Sequence, residues 1–505
     1  MKHSLYHWAL VALSAGMLAA CSFPKDGEYD SLHMKMDGEM LLGHPGSPEQ
    51  TGDRFSEFKD NPFIKTADVP VSTFSVDADG ASYAYMRRNI KQGHFPDKSS
   101  VRIEEFLNYF TFDYPDPSDG KNVAINSEVG PCPWNEAHHL MRLGIKGQSL
   151  SAAKVPLANF VFLVDVSGSM DSDDKLPLLK KSLLTLVDYL NPKDRIAIVT
   201  YASGVRKVLE STPVSEAAKI KAAIRELSAY GSTAGGAGMR MAYEEVLRNY
   251  IDGGNNRVIM GTDGDFNVGE SSTDAILELA QNYAQKGIYI TICGFGMGNL
   301  NDAMMETVSN KGNGTYQYID SEGEMTKVFV NERARFLAVA NDGKAQVTFD
   351  PTMVESYRLI GYENRVMDNE DFENDRKDAG EIGAGQTVTA LYEIVPGTDW
   401  GTRPRKALAK FDFRYKKQLG DESVLLESHV TTSEGSKMSP NLSFASGVAA
   451  YGMLLRHSEY AGTASYRLAY DLVENSMKVI GADDYQYRLR EELLRLIDRA
   501  EKINE

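Results

Sequence analysis

Three short stretches of the chain place hard oxygen donors where chemistry could use them. "DVSGSM" carries Asp165, Ser167 and Ser169 at alternate positions, "YGSTAGGAG" carries Thr233 in a glycine-rich turn, and "GTDGDFNVG" carries Asp263. Two carboxylates and three hydroxyls, with no His or Cys among them, suit Mg²⁺, Mn²⁺ or Ca²⁺ rather than zinc, because hard cations take oxygen ligands. Residues two apart share a face in extended backbone, so the alternation aims several oxygens the same way. The apolar run Phe160 to Val164 reads as a strand buried on both sides, which puts Asp165 near its C-terminal end. Asp263 likewise falls just past an apolar strand. Open α/β sheets keep their ligands at that end, where the strand order reverses.

The elements that must position these residues lie in a segment of regular alternation, residues 155–335. Strand-like "FVFLVDVS", "RIAIVTY", "RVIMGTDG", "IYITICGFG" and "GTYQYID" are separated by helix-like "LPLLKKSLLTLVDYL", "EAAKIKAAIRELSAY", "GMRMAYEEVLRNYI", "TDAILELAQNYAQ" and "NDAMMETVS". Strand and helix in strict turn imply an α/β domain with a doubly wound, mostly parallel, Rossmann-like sheet and right-handed crossovers. "VRKVLE" is expected to add an antiparallel edge strand.

On either side the pattern differs. Residues 69–150 read as a small mixed domain with a helical patch at "VRIEEFLNYF". In residues 340–435 the period becomes two: Ala345, Val347 and Phe349 share one face, as do Val388, Ala390, Tyr392 and Ile394, which fits antiparallel strands packed on one side. Residues 440–505 are helical, with Leu489, Leu493, Leu496 and Ala500 along one stripe. The acidic run "MDNEDFENDRKDAGE" and the pair Asp77 and Asp79 are read as solvated connections rather than calcium loops.

The N-terminus is an address. Lys2 precedes an apolar stretch, Trp8 to Ala20, too short to span a membrane but suited to a signal peptide, 1–20. It ends in "LAAC", so Cys21 is expected to be lipidated and to begin the mature chain. Ser22 then points to the outer membrane of a Gram-negative envelope, facing the periplasm. Residues 21–68, with "GHPGSPEQTGDRF", read as a tether. Cys132 and Cys293 are expected to stay unbridged, Cys293 as a buried thiol.

Composition sets the outer bounds. A chain of 505 residues, 42% hydrophobic and 25% charged, has material for several globular domains. Its net charge of −17 opposes general binding to nucleic acid or anionic lipid. The glycine-rich turn lacks the lysine of a P-loop. "DGDFNVGESSTD" has Val268 where an EF-hand needs glycine and Asp274 where it uses glutamate. An aspartyl-phosphate phosphatase is disfavoured by Ser at 167, and neither a G-x-S-x-G elbow nor an H-E-x-x-H helix occurs.

The order DxSxS, then Thr in a glycine-rich turn, then TDG resembles the von Willebrand factor A domain with its metal-ion-dependent adhesion site. "STFSVDADGASYAYMRRNI", "VRIEEFLNYF", "EVGPCPWN" and "YRLIGYENR" extend the likeness to bacterial von Willebrand factor A lipoproteins of the YfbK type. The resemblance implies that Ser167, Ser169 and Thr233 hold the metal directly or nearly so, that Asp165 and Asp263 often act through water, and that an acidic residue of a partner protein completes the shell. The expected function is thus a lipid-anchored, metal-dependent protein-binding module and not an enzyme. The alternative is an envelope hydrolase using the same cation, for which the sequence offers no recognisable nucleophile and base.

Overall fold

The computed structural model describes residues 52–505, apart from 77–78, 152–153, 232–234, 265–272, 403–405 and 433–436. Cys21, Asp77, Thr233 and most of the stretch compared with an EF-hand lie outside the described residues.

The N-terminal segment forms β1 (Ile64–Lys65), β2 (Val71–Ser75), α1 (Ala81–Gln92), α2 (Ile103–Asn108), β3 (Val123–Pro131) and β4 (His139–Gly147). The middle segment runs β5 (Ala158–Asp165), α3 (Leu176–Tyr189), β6 (Arg195–Tyr201), β7 (Val205–Pro213), α4 (Ala217–Glu226), α5 (Gly235–Arg248), β8 (Asn255–Thr262), α6 (Thr273–Ala284), β9 (Ile288–Phe295), α7 (Asp302–Lys311), β10 (Thr315–Ile319) and α8 (Glu322–Thr326). The last segment runs β11 (Ala338–Phe349), β12 (Val354–Ile360), β13 (Val366–Met367), β14 (Gly380–Gly383), β15 (Thr387–Pro396), β16 (Ala407–Lys416), β17 (Val424–Thr431), then α9 (Pro440–Arg456), α10 (Tyr466–Met477) and α11 (Tyr485–Asn504).

In the middle segment the apolar runs do what their length and composition dictate. Every residue of β5 is buried, as a strand covered on both faces must be. The sheet order is β10-β9-β8-β5-β6-β7, parallel throughout except for β7, which pairs antiparallel with β6. This is the doubly wound sheet the alternation implies, with "VRKVLE" inside the antiparallel edge strand. Helices α3 and α4 cover one face with Leu179, Leu183 and Ile220, and α5, α6 and α7 cover the other with Met239, Ile276 and Met305. The chain leaves β5 towards β6 on one side and β8 towards β9 on the other, so the strand order reverses between β5 and β8.

The flanking segments, read separately in sequence, share two antiparallel sheets. One sheet has the order β1-β12-β15-β4-β3, and the other β13-β2-β11-β16-β17 with β14 on β11. Phe74 of β2 lies opposite Ala345 of β11, and Leu143 of β4 opposite Ala390 of β15. Their facing sides form one core of Phe74, Leu143, Val347, Tyr392 and Phe411. The period-two faces written in the sequence are the faces that meet there. The other side of β15 is buried too: Leu391 joins a helical layer made of α1, α2 and the three C-terminal helices, including Leu493, Leu496 and Ala500 of the expected stripe. The α/β domain is therefore inserted in the chain of a host built from both ends.

Helix α1 holds insert and host together. Tyr83, Met86 and Ile90 face the helical layer, whereas Ala81, Ala84 and Tyr85 enter the core of the α/β domain. Between those faces Arg87, 3% exposed, uses all five donors of its guanidinium. Nε and one terminal nitrogen bind Asp320 at 2.8 and 2.5 Å, and the same terminal nitrogen binds Glu324 at 2.8 Å. The other reaches the Tyr109 hydroxyl at 2.7 Å and Glu492 of α11 at 3.2 Å. Arg102 makes a second buried link, to Glu105 and, at 2.6 Å, to Asp302 of α7.

Cys132 and Cys293 are both buried and unbridged, each thiol pushed up to about 12 by burial. Replacing Arg87 by Met should cost about 3–5 kcal/mol in urea unfolding, because Asp320 and Glu324 would stay buried without their cation. A loss below about 1 kcal/mol would show that water reaches the carboxylates and that the link is not structural.

Candidate functional site

β5 delivers Asp165 at its last position, with its side chain fully buried. The backbone N–H of Ser167 donates to Asp165 Oδ1 at 2.8 Å, which turns the chain at the end of the strand. Ser167 itself is extended, φ −63° and ψ 162°, but Ser169 lies in the short 3₁₀ turn Gly168–Asp171. The alternation thus reaches Ser169 by a turn rather than along a strand, and the turn returns its hydroxyl to within 3.0 Å of the Ser167 hydroxyl. Met170, wholly buried, anchors that turn from below, while Gly168 is exposed and Ser169 half-buried. The site opens to the surface along this turn.

The other two stretches are drawn to the same place. Gly168 N–H donates to the Gly231 carbonyl at 3.0 Å and Tyr230 N–H to the Val166 carbonyl at 2.7 Å, which ties the "DVSGSM" turn to the start of "YGSTAGGAG". Thr233 follows two residues on, outside the described residues. β8 brings Asp263 to the neighbouring strand end, buried beside Asp165. Thr262 joins the two: its hydroxyl donates to Asp165 Oδ2 at 3.3 Å and accepts from Gly264 N–H at 3.2 Å. Gly264 has φ +95°, and a Cβ there would lie 2.6 Å from the Asn301 nitrogen, so both its backbone and its surroundings require glycine.

Burial pushes the Asp165 carboxyl up from 3.8 to about 6; the Ser167 hydroxyl and N–H pull it down, and the charge of Asp263 pushes it further up. Burial and the nearby Asp165 charge push the Tyr201 hydroxyl, which lies close to both Asp165 and Thr262, well above its ordinary range.

Sequence reasoning missed Lys175. Its Nζ makes a buried ion pair with Asp263 Oδ2 at 2.8 Å. The run "SDDK" gives no local sign of this, since it has the composition of a solvated turn. Sequence reasoning also missed Thr262 and Tyr201, which read simply as strand residues. The donor set of Asp165, Ser167, Ser169 and Asp263 is all oxygen and fits a hard divalent cation.

This sheet, with the strand-end cluster at its reversal point, defines a von Willebrand factor type A domain, and the family model of that description matches residues 159–331. Two more models match the host: one described as von Willebrand factor over 49–142, and one described as Uncharacterized protein YfbK, C-terminal, over 334–503. The chain is 39% identical over 488 residues to Uncharacterized protein YfbK of Escherichia coli (strain K12), covering 92% of this chain and 83% of that one. It belongs to the YfbK family of von Willebrand factor A proteins. It is also 28% identical over 190 residues to Uncharacterized protein sll0103 of Synechocystis, covering 38% of this chain and 43% of that one. A solved structure, von Willebrand factor type A from Catenulispora acidiphila, aligns at 18% identity with a TM-score of 0.41, covering 71% of this chain and 88% of that one. The domain supports a role in protein interaction, and neither named relative carries a catalytic name.

The raised Asp165 carboxyl yields a pH prediction for protein held in chelator. Its folded value, about 6, lies above its ordinary 3.8, so ionising it opposes folding at neutral pH, and that penalty is relieved as the pH falls through 6 and is gone below about 4. Asp165→Asn, which keeps an oxygen for the Ser167 N–H, should stabilise the chelated protein at pH 7 by up to about 3 kcal/mol and leave it level with wild type at pH 4. Thermal melts at the two pH values check this. An equal effect at both would mean that the change acts through packing.

Proposed function

We propose that the protein binds a partner protein through a divalent cation held by Asp165, Ser167, Ser169, Thr233 and Asp263, with Mg²⁺ the first choice and Mn²⁺ or Ca²⁺ of the same class. The observation that carries this reading is the convergence of two strand-end carboxylates and two hydroxyls 3.0 Å apart at the one place where the sheet reverses its order. A bound cation would supply an electrophilic position open to a carboxylate from outside. The protein's part is to aim the donors: the Ser167 N–H fixes Asp165, the 3₁₀ turn presents the two serine hydroxyls, and the Thr262 hydroxyl links the two strand ends. The partner is accordingly a protein that presents an Asp or Glu side chain.

Capture of a partner from envelope extract should need Mg²⁺ or Mn²⁺ and vanish in EDTA. Ser167→Ala should abolish it while leaving the melting temperature within a few degrees, since it removes an oxygen ligand but little core volume. Capture at full yield in EDTA and by the Ser167→Ala protein would move the recognition surface to the host domain.

The same reading places the protein on a membrane through a lipid on Cys21, in the cell envelope, and at the outer membrane facing the periplasm in a Gram-negative cell. Its support is the "LAAC" sequence after a short apolar core. Cys21→Ser should leave an unprocessed precursor or a protein that fractionates with the soluble contents. A wild-type protein that fractionates as soluble and carries no acyl group by mass spectrometry would remove the anchor.

A further inference from the structure

We infer that Lys175 is a built-in counter-cation of the metal site: its ammonium holds Asp263 in competition with the divalent cation, weakening metal binding and leaving the loaded site with a net positive charge that favours an acidic ligand. The inference rests on the metal-site reading proposed above.

The geometry is specific to this side chain. Lys175 stands at the N-terminus of α3, where its N–H binds the Ser172 carbonyl at 3.0 Å and its carbonyl accepts from Leu179 N–H at 2.8 Å. From there the stem crosses Gly296, whose φ is +74° and where a Cβ would lie 2.3 Å from Lys175 Cε and 2.7 Å from Cγ. A side chain at residue 296 would push the stem aside. At its far end Nζ meets Asp263 Oδ2 at 2.8 Å.

One residue of the host ties the start of the stem to Gly296. Arg88 of α1 binds Asp174, next to Lys175, at 2.5 Å, and the Tyr318 hydroxyl at 3.0 Å. Tyr318 in turn donates to the Gly296 carbonyl at 2.6 Å, and Ser172 holds the second oxygen of Asp174 at 2.6 Å.

The charge count gives the consequence. Asp165 and Asp263 carry two negative charges, which a divalent cation would balance. With Lys175 kept in place the loaded site is positive by one, the charge of one carboxylate from a ligand. A unit charge within a few ångströms of a cation in a partly buried site changes its affinity by about tenfold or more.

The test is Mn²⁺ affinity by calorimetry on the whole protein, comparing wild type, Lys175→Met and, as a site control, Ser167→Ala. Lys175→Met keeps the stem volume and loses the charge, so it should bind Mn²⁺ at least about tenfold more tightly and gain more melting temperature from saturating Mn²⁺ than wild type does. Lys175→Gln, which keeps a donor for Asp263 without the charge, carries the same expectation and serves if the Met variant does not fold. Wild type and both variants binding Mn²⁺ equally, with Ser167→Ala weaker, would overturn the role of Lys175 and leave the metal site standing. No Mn²⁺ binding by any of them would overturn both. Binding by the Lys175 variants but not by wild type would be the strongest form of the result expected.

Discussion

One guanidinium decides how the molecule is put together. Arg87 belongs to the N-terminal segment, two of its partners, Asp320 and Glu324, to the inserted domain, and a third, Glu492, to the last helix. A buried arginine with all five donors used is tolerable; the same residue with one partner missing is not, because desolvation then has no compensation. The arrangement therefore demands that three stretches far apart in the chain arrive together. Hydrophobic burial along α1 supplies most of the driving force, whereas the ion network selects the one relative placement in which every charge is met. Arg88, the next residue on the helix, extends that placement to the site, through Asp174 and Tyr318.

What the sequence made legible follows from the range of the signals. Phe160 to Val164 announces a buried strand by itself, and the pattern of "LPLLKKSLLTLVDYL" a helix by itself, so the inserted domain could be read element by element. The stripe Leu489, Leu493, Leu496 and Ala500 was equally local. The sharing of two sheets by the flanking segments was not, because Phe74 opposite Ala345 is a pairing across most of the chain, and nothing in "VSTFS" distinguishes it from any short edge segment. In the site, Asp165, Ser167, Ser169 and Asp263 were legible as donors of one chemical type. Lys175 was not, since its stem runs past Gly296, more than a hundred residues away, to reach Asp263.

The strand-end cluster is not a device for stability. Asp165 is buried in a place that opposes its ionisation, and Asp263 is buried in an ion pair with Lys175. Both are costs to the fold, carried by the surrounding sheet, whose strands β5, β6, β8 and β9 are almost wholly buried. Groups held against their own preference are poised to respond to an added charge.

The insertion also orders the way the chain can assemble. Residues 158–331 are contiguous, and every strand pair of their sheet lies within the insert, closed by crossovers of ordinary length. Its entry and exit lie together: Leu157, Ala158, Phe336 and Leu337 line one cavity of about 370 Å³, and the Arg257 guanidinium of β8 binds the Phe336 carbonyl at 2.7 Å. Once the domain has formed, β4 and β11 are joined by a short path through a folded body instead of by a long free loop. The loops that pair β2 with β11 and β4 with β15 are then shorter by the length of the insert, which lowers the entropy of closing them. The host sheets pair strands that flank the insert on both sides, and the buried arginine of α1 meets its carboxylates only where host and insert are both in place.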